Sequence, residues 1–263
     1  MPPRSFGTLR LSAKARGGRS VIDGFRCSGA TKVAFPAARQ ALEAIVVNTA
    51  GGVTGGDQFD IEAAAGPGSR MTLTTQAAER AYRSQSGQAR IESRLRVAEG
   101  AVLHWLPQEL ILFNGADVAR RLSVSLEPGG ELLLVEPVVF GRIAMQERLT
   151  RARFRDRIEI SREGRPLYFD AVDMDGAIDR QLGQAAVAMG ARAMASAVLV
   201  SARAESLLQP VRRALPGTGG ASLLSEDVLV LRLLADDAFF LRKALIPSLE
   251  MLAGAALPKS WSL

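Results

Sequence analysis

The residues able to do chemistry are few, and most of them are carboxylates. The 263-residue chain has one histidine, His104, and one cysteine, Cys27. Any Ser-His-Asp or Cys-His centre would have to use His104. That residue sits between Leu103 and Trp105 in a strand-like run, a position that suits a structural histidine better than a catalytic one. The patterns H-E-x-x-H, C-x-x-C and G-x-S-x-G are absent. A borderline divalent metal prefers imidazole and thiolate, so no tight site for one can be assembled from these residues. Carboxylates beside small polar residues remain. Asp57 directly follows Gly55-Gly56, Thr74 and Thr75 end a strand-like run, Glu136 interrupts an apolar run just before Pro137, and Asp170, Asp173 and Asp175 follow another. A lone carboxylate in a buried strand is costly unless it is paired, hydrated or neutralised. Glu136 therefore calls for a salt bridge to one of the arginines or for a wet wall. Asp57 reads equally as the cap of a turn or as a carboxylate facing a cavity. Used together as an acid–base pair, Asp57 and Glu136 would make the chain a small-molecule hydrolase or transferase.

Positioning these groups falls to a chain punctuated by glycine. Ile45-Val46-Val47 precedes the pairs Gly51-Gly52 and Gly55-Gly56, and Phe59 and Ile61 come after them. Glycine tolerates positive φ, so two adjacent pairs predict a chain that reverses twice with Asp57 at the turn. Gly66-Pro67-Gly68 turns it again before Met71-Thr72-Leu73-Thr74-Thr75. The glycines do not fit G-x-G-x-x-G, no Lys-Ser or Lys-Thr succeeds them, and the residues after Asp57 read as a strand. Nucleotide binding at this loop is excluded. Residues 88–97 alternate strictly, with Ala89, Ile91, Ser93, Leu95 and Val97 on one phase, which predicts a half-buried strand. Residues 121–126 alternate as well, and residues 131–140 are apolar enough to be buried on both faces. Residues 8–14, 31–36, 101–106 and 166–172 also read as strands, the first two separated by Gly-rich loops. Arg151, Arg153, Arg155 and Arg157 fall opposite Ala152, Phe154 and Ile158. That spacing puts four guanidinium groups on one strand face, either solvated or docking an acidic partner. In the C-terminal third, a helix over 204–215 ends at Pro216-Gly217, and a strand-like stretch covers 222–234. A second helix spans 237–253, capped by Asp236, and Pro247 inside it should kink or split it. With no fixed-period repeat and no long linker, the pattern predicts one mainly β domain with two C-terminal α-helices.

Charge and composition narrow the function classes. The formal net charge is +6, and all but four of the 33 lysines and arginines are arginine. Such a balance fits nucleic acid, an acidic protein partner or a base-composition bias. Aromatic residues make up only 5%, with no RNP-like cluster and no zinc finger, which argues against nucleic acid. A single cysteine excludes an internal disulfide framework and fits a reducing compartment. Residues 1–20 are basic and broken by glycines, with no apolar signal core. The longest apolar run, 185–200, carries Arg192 and is a poor membrane span. The expectation is a soluble cytoplasmic protein that binds neither nucleic acid nor membrane.

Four blocks carry a resemblance. NTAGGVTGGD precedes TTQAAERAYRS, HWLPQELILFNGADVARR comes directly after Leu103, and the chain closes on Leu257-Pro258-Lys259-Ser260-Trp261. In this order, over nearly the whole chain, they resemble the urease accessory protein family UreD, also called UreH. The resemblance implies one UreD-like domain over residues 1–263, built as a β-helix-like stack of sheets with two C-terminal helices. It implies a non-enzymatic chaperone for urease metallocentre assembly. The partners would be UreF, the GTPase UreG reached through UreF, and the urease apoprotein. No cofactor would be tightly bound; Ni²⁺ would be in transit through an internal water-filled passage, driven by GTP hydrolysis on UreG. On that implied mechanism Asp57 and Glu136, with Thr74, Thr75 and Asp173, are candidates for the passage wall. Arg151, Arg153, Arg155 and Arg157, or the C-terminal helices, are candidate partner surfaces.

Overall fold

Glycine turns and period-two strands wind the chain into a coil. The structure, a computed structural model, describes residues 4–37 and 40–262; the outermost residues of the expected 1–263 domain lie outside it. β1 (Phe6–Arg16) turns at Gly17-Gly18 into β2 (Arg19–Gly29), and β3 (Thr31–Ala34) leads to β4 (Leu42–Asn48). The path continues through β5 (Gln58–Ala65), β6 (Arg70–Thr75), the short β7 (Glu79–Ala81), β8 (Ala89–Val97), β9 (Val102–Leu106), the short β10 (Leu110–Leu112), β11 (Asp117–Leu126), β12 (Glu131–Phe140) and β13 (Ala152–Arg162). These strands alternate between two sheets. In one sheet β1, β5, β8, β11 and β13 pair in parallel, and in the other β4, β6, β9 and β12 do. β14 (Arg165–Gly176) closes the first sheet antiparallel to β13. A short α1 (Ile178–Leu182) leads to β15 (Ala193–Val200), α2 (Ala204–Ala214), β16 (Gly219–Ser225), β17 (Val228–Ala235) and α3 (Ala238–Ala253). Among the described residues the sheet orders are β14-β13-β11-β8-β5-β1-β2 and β16-β17-β15-β12-β9-β6-β4-β3, with β10 joining β12 to β7. The architecture is the mainly β, β-helix-like stack that was expected, with the two late helices and the extra short α1.

Inward residues of the two sheets meet in a shared core that includes Leu9, Leu73, Leu95, Leu103, Leu122, Leu134 and Ile158. A second core lies beneath the helices, where Leu241, Leu245, Leu249 and Leu252 of α3 pack with Leu133, Ala197 and Leu231. Fully burying one such leucine contributes about 1.5–3 kcal/mol, so α3 is held mainly by its apolar stripe.

Four local expectations need amendment. The Gly-rich stretch after β1 is not a loop: Gly17 and Gly18, both at positive φ, make a tight hairpin into a full strand, β2. β2 is an edge strand and mostly solvent-exposed, so it carries no alternation to read. Residues 222–234 form a hairpin, β16–β17, rather than one strand. The cap of α3 is Asp237, whose Oδ1 accepts the Phe240 N–H at 2.9 Å, and not Asp236. Pro247 does not split α3, which runs unbroken from Ala238 to Ala253.

Candidate functional site: a cavity between the sheets

The second sheet has a seam. β6 and β7 are separated by Gln76-Ala77-Ala78, and β9 and β10 by Pro107-Gln108-Glu109. β12 runs through the gap, pairing with β9 over residues 131–134 and with β10 over 138–140. Val135, Glu136 and Pro137 thus span a break in the ladder on that side, where the missing N–H of Pro137 does no harm. Behind the seam a cavity of about 300 Å³ lies between the sheets. Its wall includes Asn48, Thr75, Glu79, Gln108, Trp105, Arg120 and Glu136. Gly51, Gln76, Ala77, Arg80 and Arg121 are its solvent-exposed members, whereas Trp105, Arg120 and Glu136 are buried.

Three buried charged groups meet at the inner end. β11 and β13 pair so that Arg120 stands directly beside Asp156. Arg120 Nε donates to Asp156 Oδ1 at 2.9 Å and Nη2 to Oδ2 at 2.6 Å. Its Nη1 reaches across to Glu136 Oε2 at 2.5 Å, linking the two sheets. Trp105 Nε1 donates to the other oxygen, Glu136 Oε1, at 2.7 Å. Burial would favour a neutral Arg120, but Asp156 and Glu136 outweigh it and raise the guanidinium pKa, so the side chain stays charged. Burial also pushes the Glu136 carboxyl up, to about 7, with Arg120 and the Trp105 donor opposing the rise and Asp156 adding to it. Nearer the solvent-exposed rim, Asn48 Nδ2 donates to both Glu79 oxygens at 3.2 and 3.1 Å, and burial raises the Glu79 pKa.

The sequence-derived candidates separate in space. Glu136 and Thr75 line the cavity. Asp57 is buried but absent from its wall, and accepts the backbone N–H groups of Ser5 and Thr54, both at 2.8 Å. It is the turn cap, and it forms no acid–base pair with Glu136. Thr74 is buried beside the C-terminal tail, its hydroxyl 3.3 Å from that of Ser260. Asp173 lies on the exposed edge strand β14, outside the cavity wall, and pairs with Arg155 at 3.4 Å. Of the arginine row, Arg153 pairs with Asp175 and Arg155 with Asp173 across the β13–β14 hairpin. Arg157 pairs with Glu159 and lies over the Phe169 ring, while Arg151 precedes the strand and is exposed. His104 stands outside the cavity wall, and burial, followed by Arg70 and Arg203, lowers its pKa to about 4. The sequence reading missed Arg120, Asp156, Trp105, Asn48 and Glu79. Arg120 shares a phase with Val118 and Leu122, and Asp156 with Phe154 and Ile158. A charge on the apolar phase of a strand was the available signal.

The C-terminal tail backs the same seam. Gln108 Nε2 donates to the Ser260 carbonyl at 2.8 Å, and Trp261 Nε1 to the Leu106 carbonyl at 2.9 Å. Arg242 of α3 reaches Gln108, Glu109 and the Trp261 carbonyl at 2.5, 3.0 and 2.6 Å. The closing Leu-Pro-Lys-Ser-Trp block thus fastens α3 to the Pro107–Glu109 break.

Among the described residues no group of three histidine, cysteine, aspartate or glutamate side chains is arranged to hold a metal ion. No helix of the described residues is long and apolar enough to cross a membrane. Fold and cavity together define a β-coil protein with an apolar core and a cavity that ends on buried charges. A family model described as UreD urease accessory protein matches residues 5–262. The urease accessory protein UreD of Roseobacter denitrificans is 52% identical over 262 residues, covering 99% of this chain and 96% of that protein. UreD of Ruegeria pomeroyi is 48% identical over 257 residues, covering 97% and 100%. UreD 1 of Brucella abortus is 43% identical over 265 residues, covering 99% and 95%. The chain belongs to the UreD family of urease accessory proteins.

Proposed function

We propose that this protein is a urease maturation scaffold that binds apo-urease together with UreF and, through UreF, the GTPase UreG. Nickel, the cargo, crosses the cavity between the sheets on its way to the urease centre, and GTP hydrolysis on UreG supplies the free energy. The observation that carries the reading is one cavity with a carboxylate near its rim, Glu79, and another at its buried end, Glu136, in a chain of this family. Oxygen ligands hold Ni²⁺ more loosely than imidazole or thiolate. Thr75 also lines the wall, and among the described residues no group of three histidine, cysteine or carboxylate side chains forms a trap. Asp57 and Thr74 lie outside the wall, as a turn cap and a tail contact. The work of the protein is in the cytoplasm, where apo-urease is assembled.

The test is urease activity and nickel content per active site, with urease and its other accessory proteins co-expressed with and without this chain. Urease made without it is expected to be folded, nickel-poor and inactive. Glu136→Gln and Glu79→Gln are each expected to lower nickel content at least several-fold while the maturation complex still co-purifies. Urease that loads fully without the chain would overturn the function; full loading with both variants would overturn the passage.

A further inference from the structure

Arg120 poses a problem for a cation path: a permanent positive charge stands at the buried end of the cavity, in contact with Glu136, the carboxylate that lines it there. Its two attachments are unequal. Asp156 is held by two donors in a fork, at 2.9 and 2.6 Å, from the neighbouring strand of the same sheet. Glu136 is held by a single donor, Nη1, across the gap between sheets. Glu136 and Arg120 both face the cavity, and Trp105 Nε1 donates to Oε1 of Glu136 while Nη1 covers Oε2. The fork is the stronger contact, since bidentate charge-assisted pairing adds geometry to charge. Arg120 also lies over the Phe154 ring, at 5.9 Å, on the side of its own sheet.

We propose that Arg120 is a fixed counter-ion with an exchangeable partner: a divalent metal cation in the cavity draws the Glu136 side chain off Nη1 and takes that carboxylate as ligand, while the fork to Asp156 holds the planar guanidinium in place to re-form the pair and expel the cation. One ion pair is exchanged for another and no covalent bond changes. In the empty cavity Arg120 neutralises Glu136, which lets a carboxylate sit between the sheets. When the cation arrives, the nearby guanidinium weakens its hold by like-charge repulsion. Arg120 thereby converts a carboxylate that would retain a metal into one that releases it. The inference rests on the passage reading and adds a gate to it.

The experiment is equilibrium dialysis of the full chain against Ni²⁺ alone, joined to transfer of the bound metal to apo-urease. Arg120→Gln is expected to bind Ni²⁺ at least tenfold more tightly than the parent and to release it more slowly. Because that variant leaves two buried carboxylates without a cation, Arg120→Gln/Asp156→Asn is measured beside it. This pair of changes keeps Glu136 and removes one charge of each sign, and it too is expected to bind at least tenfold more tightly. Adding Glu136→Gln to the pair should abolish the gain. Parental Ni²⁺ affinity in the folded Arg120→Gln/Asp156→Asn protein overturns the gate, and so does a gain that survives Glu136→Gln. If urease loading is unaffected by Glu136→Gln while Arg120→Gln/Asp156→Asn still binds more tightly, the passage fails and the ion exchange at Arg120 stands.

Discussion

At the scale of the residue, the buried charges dictate the sharpest expectations. Removing one member of a buried ion-pair group strands the others without compensation, at a cost of about 3–5 kcal/mol. Arg120→Met should destabilise the protein by that amount in urea denaturation, and the triple change Arg120→Met/Glu136→Leu/Asp156→Leu should recover most of it. If the triple variant is as unstable as the single one, the loss comes from packing and not from charge. His104 offers a test by pH. Its folded pKa, about 4, lies below the ordinary 6.5, so the unfolded chain binds a proton that the folded chain refuses. Its contribution is complete above about pH 6.5 and is lost as pH falls toward 4. The full shift corresponds to about 3 kcal/mol, and partial solvent contact of the ring trims that to about 2 kcal/mol. His104→Gln should flatten the stability profile in that window; an unchanged slope would assign the acid sensitivity to other groups.

At the scale of the element, caps and breaks matter more than propensity. Asp237 caps α3 through the Phe240 N–H, so Asp237→Ala should cost about 1 kcal/mol while Asp236→Ala costs nothing measurable. Equal effects of the two changes on the thermal midpoint would return the cap to the position expected from sequence. The glycine pairs show a similar division of labour. Gly52 has φ 146° and its missing side chain leaves room for the Tyr82 ring, whereas Gly51 turns in open space. Tyr82 in turn donates to the Gly51 carbonyl at 3.1 Å, which gives the Tyr82-Arg83-Ser84 motif a structural role in holding the turn. Pro247 is tolerated inside α3 because four buried leucines hold the helix from one side. A local penalty for proline, about 3 kcal/mol, is outweighed by burial that local pattern reading does not count.

At the scale of the whole molecule, the outer arginine row is less available than its spacing suggested. Arg153, Arg155 and Arg157 already pair with carboxylates of β13 and β14, and exposed pairs of this kind are each worth only about 0–1 kcal/mol. They can still be exchanged for an acidic partner at small cost. Replacing Arg151, Arg153, Arg155 and Arg157 together by glutamate is expected to abolish co-purification with one maturation partner and to leave the fold intact by circular dichroism. Unchanged co-purification would leave the row as a solvated face, and the helical side of the molecule would become the surface to test.

Much of the coil is legible in the residues alone. Period-two alternation marks β8 and much of β11, the glycine pairs mark the turn that Asp57 caps, and the apolar stripe marks α3, because each is a local pattern set by backbone sterics and side-chain burial. Four blocks of residues, taken in their order, point to the family. The inner site is not legible, because its members are brought together by register and not by proximity along the chain. Arg120 meets Asp156 36 residues later, across parallel strands one coil apart, and meets Glu136 across the gap between sheets. No local rule predicts how far one turn of the coil advances the chain. The sequence by itself determined which residues point inward; only the tertiary structure decided which inward charges share a cavity, because strand register depends on the packing of every coil at once.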